Sequence, residues 1–146
     1  MTPTGDEIRA QIRNLGTFAH ASVVMVHMAV LEDCLEAALL GKMHSLNREM
    51  RDRLFTGYGP LSSLSAKIDV GFALALLDRV DYDRLTVLRK IRNKFAHSPK
   101  GLRFEDDEIK GLLVALPGWT DEQDGMTFFG KQTDELEAKF PHPAPA

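Results

Sequence analysis

Apolar residues recur along this chain at three- and four-residue intervals, the period of an α-helix, nearly from end to end. The longest such run is Thr17 to Leu40. On a helical wheel Val23, Val24, His27, Val30, Leu31, Cys34, Leu35 and Ala38 fall on one side, with Glu32, Asp33 and Glu36 on the other. So wide an apolar arc suits a helix set deep in a bundle, with Gly41 as its stop. Ahead of it, Thr4-Gly5-Asp6-Glu7 has the form of a capping box, which predicts a short first helix from Asp6 to Leu15, broken at Gly16.

Downstream the same signals repeat. A charged helix is predicted over Asn47–Phe55. It is followed by an obligatory turn at Thr56-Gly57-Tyr58-Gly59-Pro60, which lacks the Lys-Ser/Thr ending of a phosphate-binding P-loop. Ser62 or Ser63 caps a helix ending near Leu77. This helix carries two apolar stripes, one through Leu61, Leu64, Ile68, Phe72 and Leu76 and one through Val70, Leu74 and Leu77, so it is expected between neighbours. Asp81 is read as the cap of a helix to His97 that buries Leu85, Leu88, Ile91 and Phe95 and stops at Ser98-Pro99. A last clear helix opens at Phe104 to Glu108 and ends at Pro117-Gly118. Residues 118–131 read as a loop or short hairpin, Asp134 to Phe140 as a short helix, and the Pro-rich 141–146 as a disordered tail. The expectation is an all-α bundle of five or six helices, one domain over residues 1–140.

Length and composition fit that picture. A chain of 146 residues is long enough for one self-sufficient core and too short for two. With a single cysteine, Cys34, an internal disulfide and a Cys-rich zinc site are both impossible. No third ligand accompanies His20 and His27, so neither a metal nor a cofactor is expected. The opening residues lack the basic and apolar regions of a signal peptide, and the apolar stretch from Ala21 to Leu31 is too short to cross a bilayer, which together predict a cytoplasmic protein.

Charge is distributed unevenly. The net value is −3, which argues against a wholesale nucleic-acid-binding coat. Residues 84–103, however, hold Arg84, Arg89, Lys90, Arg92, Lys94, Lys100 and Arg103 with no acid, while residues 104–146 hold 3 basic and 10 acidic groups. Arg89, Lys90, Lys94, Lys100 and Arg103 thus form either a solvated face or a small surface for phosphate or RNA, and the acidic third is a possible intramolecular partner. Within this block, Arg92 and His97 are separated by four residues. Asn93 and His97 are i,i+4 neighbours, and Arg92 falls within the apolar arc, where a guanidinium needs a partner. Asp69 on the preceding helix is the expected partner, with Asp33 the alternative.

The Arg92-to-His97 spacing resembles the Arg-x4-His signature of the HEPN superfamily of helical domains, many of them metal-independent endoribonucleases. The blocks Leu54–Leu61, Ser65–Asp69, Ala73–Leu76, Ile91–Ser98 and Leu102–Ile109, in that order, resemble the mannitol operon repressor family over residues 17–116. That resemblance implies a helical regulator of transcription. No short turn leads into an exposed basic reading helix, so repression through another regulatory protein is expected and sequence-specific DNA binding is not. The alternative is an endoribonuclease, with His97 as proton carrier, Arg92 as clamp on the developing phosphorane charge and Asn93 positioning the phosphate. HEPN nucleases usually join two such motifs in a dimer cleft. For the nuclease alternative that analogy implies a homodimer pairing the 81–97 helices; for the regulator a homodimer is expected on the apolar surplus of the 17–40 or 61–77 helix. Where some HEPN toxins carry a Tyr two residues after the His, this chain has Pro99, so control by modification of that Tyr is not implied.

Overall fold

The computed structural model describes residues 2–98 and 101–140. Six α-helices account for the regular structure among them: α1 (Gly5–Gly41), α2 (Arg48–Phe55), α3 (Leu64–Ala73), α4 (Arg79–His97), α5 (Asp107–Leu113) and α6 (Gly125–Glu137). The expected disordered tail, 141–146, lies outside the described residues.

The first two predicted helices are one. The capping box forms as expected, with the Glu7 N–H donating to Thr4 Oγ1 and the Thr4 N–H to Glu7 Oε2. The helix then runs through Gly16 for 37 residues, about 55 Å. A mid-helix glycine costs only about 1 kcal/mol, which a long helix absorbs. At Gly16 the missing side chain also makes room: a Cβ there would meet Arg103 Nη1 at 3.1 Å. The C-terminal half of α1 is the central strut of the bundle, burying Val24, Met28, Leu31, Leu35 and Leu39. Its N-terminal half leaves Ile8, Ile12, Leu15 and Phe18 in solvent.

Three helices shift their boundaries. The helix expected to open at Phe104 and end at Pro117-Gly118 is the shorter α5, which starts after its N-cap Asp106 and stops at Leu113. α3 is capped by Ser63, as one of the two expected serines, but ends at Ala73 rather than Leu77. The chain reverses there through Ala75, held at φ 60°. α4 starts earlier than expected because Asp78, not Asp81, is its cap: the Asp81 N–H donates to Asp78 Oδ1 at 2.8 Å. Asp81 is instead buried and receives an ion pair from Lys139.

The largest correction concerns 118–140. Residues 118–124 are irregular as expected, but the rest of the expected loop and the start of the expected short helix form α6, 13 residues long and packed on α1 and α5. Asp124 starts it, accepting hydrogen bonds from the Thr127 N–H and hydroxyl. Its buried face mixes Phe128, Phe129 and Leu136 with Gln132 and Thr133, and those polar members hide the apolar period. Gly125 is there of necessity, because a Cβ would meet Phe104 Cβ at 2.8 Å. Phe104 is an aromatic hub, its ring 5.2–5.6 Å from those of Phe95, His20 and Phe129. Trp119 closes this end against Phe128, centroids 5.2 Å apart.

Candidate functional site

α4 passes between α1, α3 and α5, so its side chains meet different environments in turn. Leu85, Leu88, Ile91 and Phe95 fill the core, as expected. Arg92 leans toward α1, where Nη1 lies 3.7 Å from Glu32 Oε1, and both side chains are about three-quarters buried. Its Nε and Nη2 also donate to Asn93 Oδ1, at 3.4 and 3.1 Å.

The expected partner Asp69 is not the one used. Asp69 lies on the exposed side of α3 and accepts the Tyr82 hydroxyl at 2.9 Å, which pushes the Tyr82 phenol pKa up. The alternative, Asp33, is exposed. α3 presents Lys67 to the seam instead. Lys67 Nζ lies 2.7 Å from Glu32 and 3.5 Å from Glu36, with its side chain only 6% exposed. Arg92 therefore joins a chain of alternating charges linking α1, α3 and α4. A buried ammonium flanked by two carboxylates is a structural device, since removing one member would strand the others out of water.

Asn93 and His97 face the other way. With Lys90, Lys94 and Ser98 they form one wall of an open groove of about 700 Å³. Leu102 and Leu112 supply apolar surface and Glu108 an acid from α5. Residues 90, 93, 94 and 97 are spaced i, i+3, i+4 and i+7, which places all four on one helix face. Arg92 does not line this groove. The structure thus brings Asn93 and His97 together and directs Arg92 elsewhere.

The wider basic surface divides in the same way. Lys90 and Lys94 are exposed at the groove and have no carboxylate in ion-pair range among the described residues. Arg89 is half-buried and takes no part in the groove. Arg103 pairs with Glu105 at 3.4 Å and reaches over Gly16. Lys100 lies outside the described residues. The sequence also gave no warning of Arg84, which is buried and donates to Gln132 Oε1 at 3.0 Å and Glu135 Oε2 at 2.9 Å. Its signal would have been the α6 period, had Gln132 and Thr133 not masked it.

The histidines of α1 are structural. His20 Nδ1 accepts the Phe104 N–H at 3.1 Å. The Thr133 hydroxyl donates to the Gly130 carbonyl, which leaves its oxygen to accept from His27 Nδ1 at 3.1 Å. Cys34 is buried, and desolvation, followed by Glu137 and Asp33, pushes its thiol pKa up, the reverse of an activated nucleophile.

Comparison with known proteins agrees with the family resemblance. The family model described as Mannitol repressor matches residues 7–140. The chain belongs to the mannitol repressor family. Two mannitol operon repressors, from Escherichia coli strains K12 and O6:H1, are each 31% identical over 70 residues. That stretch covers 44% of this chain and 36% of theirs, so it spans little over a third of the length of these curated relatives. Among solved structures, the MtlR–HPr complex from Escherichia coli superposes with a TM-score of 0.66 at 19% identity, over 82% of this chain and 88% of that one. At that identity the likeness extends to the fold. The family match reaches past residue 116 and takes in α6, so the C-terminal helix belongs to the family's domain.

Proposed function

We propose that this chain is a transcriptional regulator of the mannitol-repressor type that works through protein–protein contacts rather than by reading DNA. The observation that carries this reading is the family match over 7–140, joined to a structural relative that was solved with HPr bound. An HPr-type protein is the partner we assign. The packing of α4 supports the same reading. The basic helix is held between α1, α3 and α5 and does not project as a recognition helix. No helix among the described residues is long and apolar enough to cross a membrane, and a regulator of this kind would act in the cytoplasm.

Titration of the whole chain with purified HPr in a calorimeter tests the proposal. Saturable binding that survives His97→Ala is the expected result, and a flat titration overturns it. No observation favours the endoribonuclease alternative, with Arg92, Asn93 and His97 as its centre. Single-stranded RNA incubated with the chain in excess EDTA is expected to stay intact.

A second copy of the chain is the occupant we assign to the exposed side of α1. Ile8, Ile12, Leu15, Val26 and Val30 fall on one face over about 33 Å, flanked by Phe18 at 70% exposure. A contiguous apolar face of this length, exposed on an otherwise packed helix, is the kind of surface a symmetric partner covers. Light scattering is expected to give a dimer that Val26→Glu dissociates. A monomeric parent would remove the assignment.

A further inference from the structure

The groove between α4 and α5 has the size of a small-molecule site, roughly 300–1,000 Å³. Its two sides differ in chemistry. Leu102 and Leu112 make an apolar surface, and the α4 wall is made of hydrogen-bond donors. Lys90 and Lys94 contribute ammonium groups. Asn93 contributes its amide N–H2, because Arg92 occupies Oδ1 at 3.1 Å and so fixes which end of the carboxamide is left for the groove. His97 places its imidazole at the same groove from the last turn of α4.

These cations differ from those that hold the fold together. Lys67, Arg84 and Arg92 each have a carboxylate within 3.7 Å. Lys90 and Lys94 have none among the described residues, although Glu108 lines the same groove. A wall of donors with unneutralised positive charge calls for a ligand rich in acceptors. The apolar surface beside it calls for an organic body on that ligand.

We propose that the α4–α5 groove binds a small phosphate monoester, with its phosphoryl group on Lys90, Asn93 and Lys94 and its organic portion on Leu102 and Leu112. A phosphoryl dianion offers three acceptor oxygens, enough for the two ammonium groups and the amide. Arg92 is then a positioning residue: it touches no ligand and orients the Asn93 amide. Glu108 opposes the anion and favours a body bearing hydroxyl donors. The site is independent of the HPr reading and stands or falls separately from it.

Phenyl phosphate is a suitable probe, titrated into the whole chain at pH 7.5 and low salt and followed by amide NMR shifts of residues 90–98. Saturable binding tighter than that of inorganic phosphate is expected, because only the ester uses the apolar surface. Lys94→Ala and Lys90→Ala should each weaken it about tenfold, the scale of one charge-assisted contact. Glu108→Gln should strengthen it by removing a repulsion. All three side chains are exposed, so the variants keep the fold, which circular dichroism verifies. Three results overturn the proposal: no saturable shift with either phosphate, lysine variants that bind like the parent, or weaker binding by Glu108→Gln, which would mark a site for cations. An RNA oligonucleotide lacking terminal phosphates that shifts the same amides while phenyl phosphate does not would overturn it in favour of a nucleic-acid surface.

Discussion

The two ends of α4 both carry basic residues and use them in opposite ways. Near its start, Asp81 and Arg84 are buried and tied to the C-terminal segment. Asp81 holds Lys139, and Arg84 spans the Gln132 amide and the Glu135 carboxylate. Near its end, Lys90, Lys94 and His97 are exposed along a groove, and the lysines have no carboxylate partner among the described residues. Arg92, between Lys90 and Lys94 along the helix, is intermediate in burial. The difference teaches that a basic residue's job is set by what the fold places opposite it. Five of the seven basic groups in residues 84–103, Arg89, Lys90, Lys94, Lys100 and Arg103, read as one patch in the sequence. In space some are fastenings and others are available to a ligand.

Stripping fastenings should cost far more than stripping the groove. Lys67→Ala is expected to have the largest effect, about 3 kcal/mol by urea unfolding, because it leaves Glu32 and Glu36 facing each other in a half-buried seam. Arg84→Ala should follow at about 2 kcal/mol. Its Gln132 partner is buried, but Glu135 is half exposed and can rehydrate. Arg92→Ala should cost about 1 kcal/mol, since at 3.7 Å its pair with Glu32 is loose and Lys67 still serves that carboxylate. Lys94→Ala should stay within about 0.5 kcal/mol of the parent. If Lys94→Ala cost as much as Arg84→Ala, the contrast between the two ends of the helix would collapse.

That ranking also marks what the sequence could reveal. Periodicity placed Leu85, Leu88, Ile91 and Phe95 in the core and put Asn93 and His97 on one face, because both statements depend only on the geometry within a single helix. The partner of Arg92 depends on how α3 is rotated against α4, and no wheel contains that rotation. Lys67 and Asp69 are two residues apart, so a turn of the helix axis exchanges which one meets the seam. The groove's far side was hidden for a related reason. Leu102, Glu108 and Leu112 reach Asn93 and His97 only through the path of the chain after Ser98. Gly16 misled in the opposite direction: it reads locally as a stop, yet the fold uses it as clearance for Arg103.

The finest test compares the caps of the two helices that Arg84 joins. Asp78 starts α4 and Asp124 starts α6. Hydrogen bonds hold both carboxyls below the usual carboxylate range: for Asp78 chiefly that from the Asp81 N–H, for Asp124 those from the Thr127 hydroxyl and N–H. A pKa lowered by folding means that the unfolded chain binds the proton more readily. The caps therefore contribute stability above the unfolded value, about 3.9, and lose it as pH falls through the lower folded value. Urea unfolding of the parent between pH 5 and pH 3 should accordingly show stability falling with pH. Replacing Asp78 by Asn keeps an acceptor for the Asp81 N–H but removes the titrating group, so it should flatten part of that slope. Asp124→Asn should do the same for α6. An acid slope left unchanged by both substitutions would assign the loss to the buried pairs alone, and the charges near the start of α4 would then govern acid sensitivity without help from the caps.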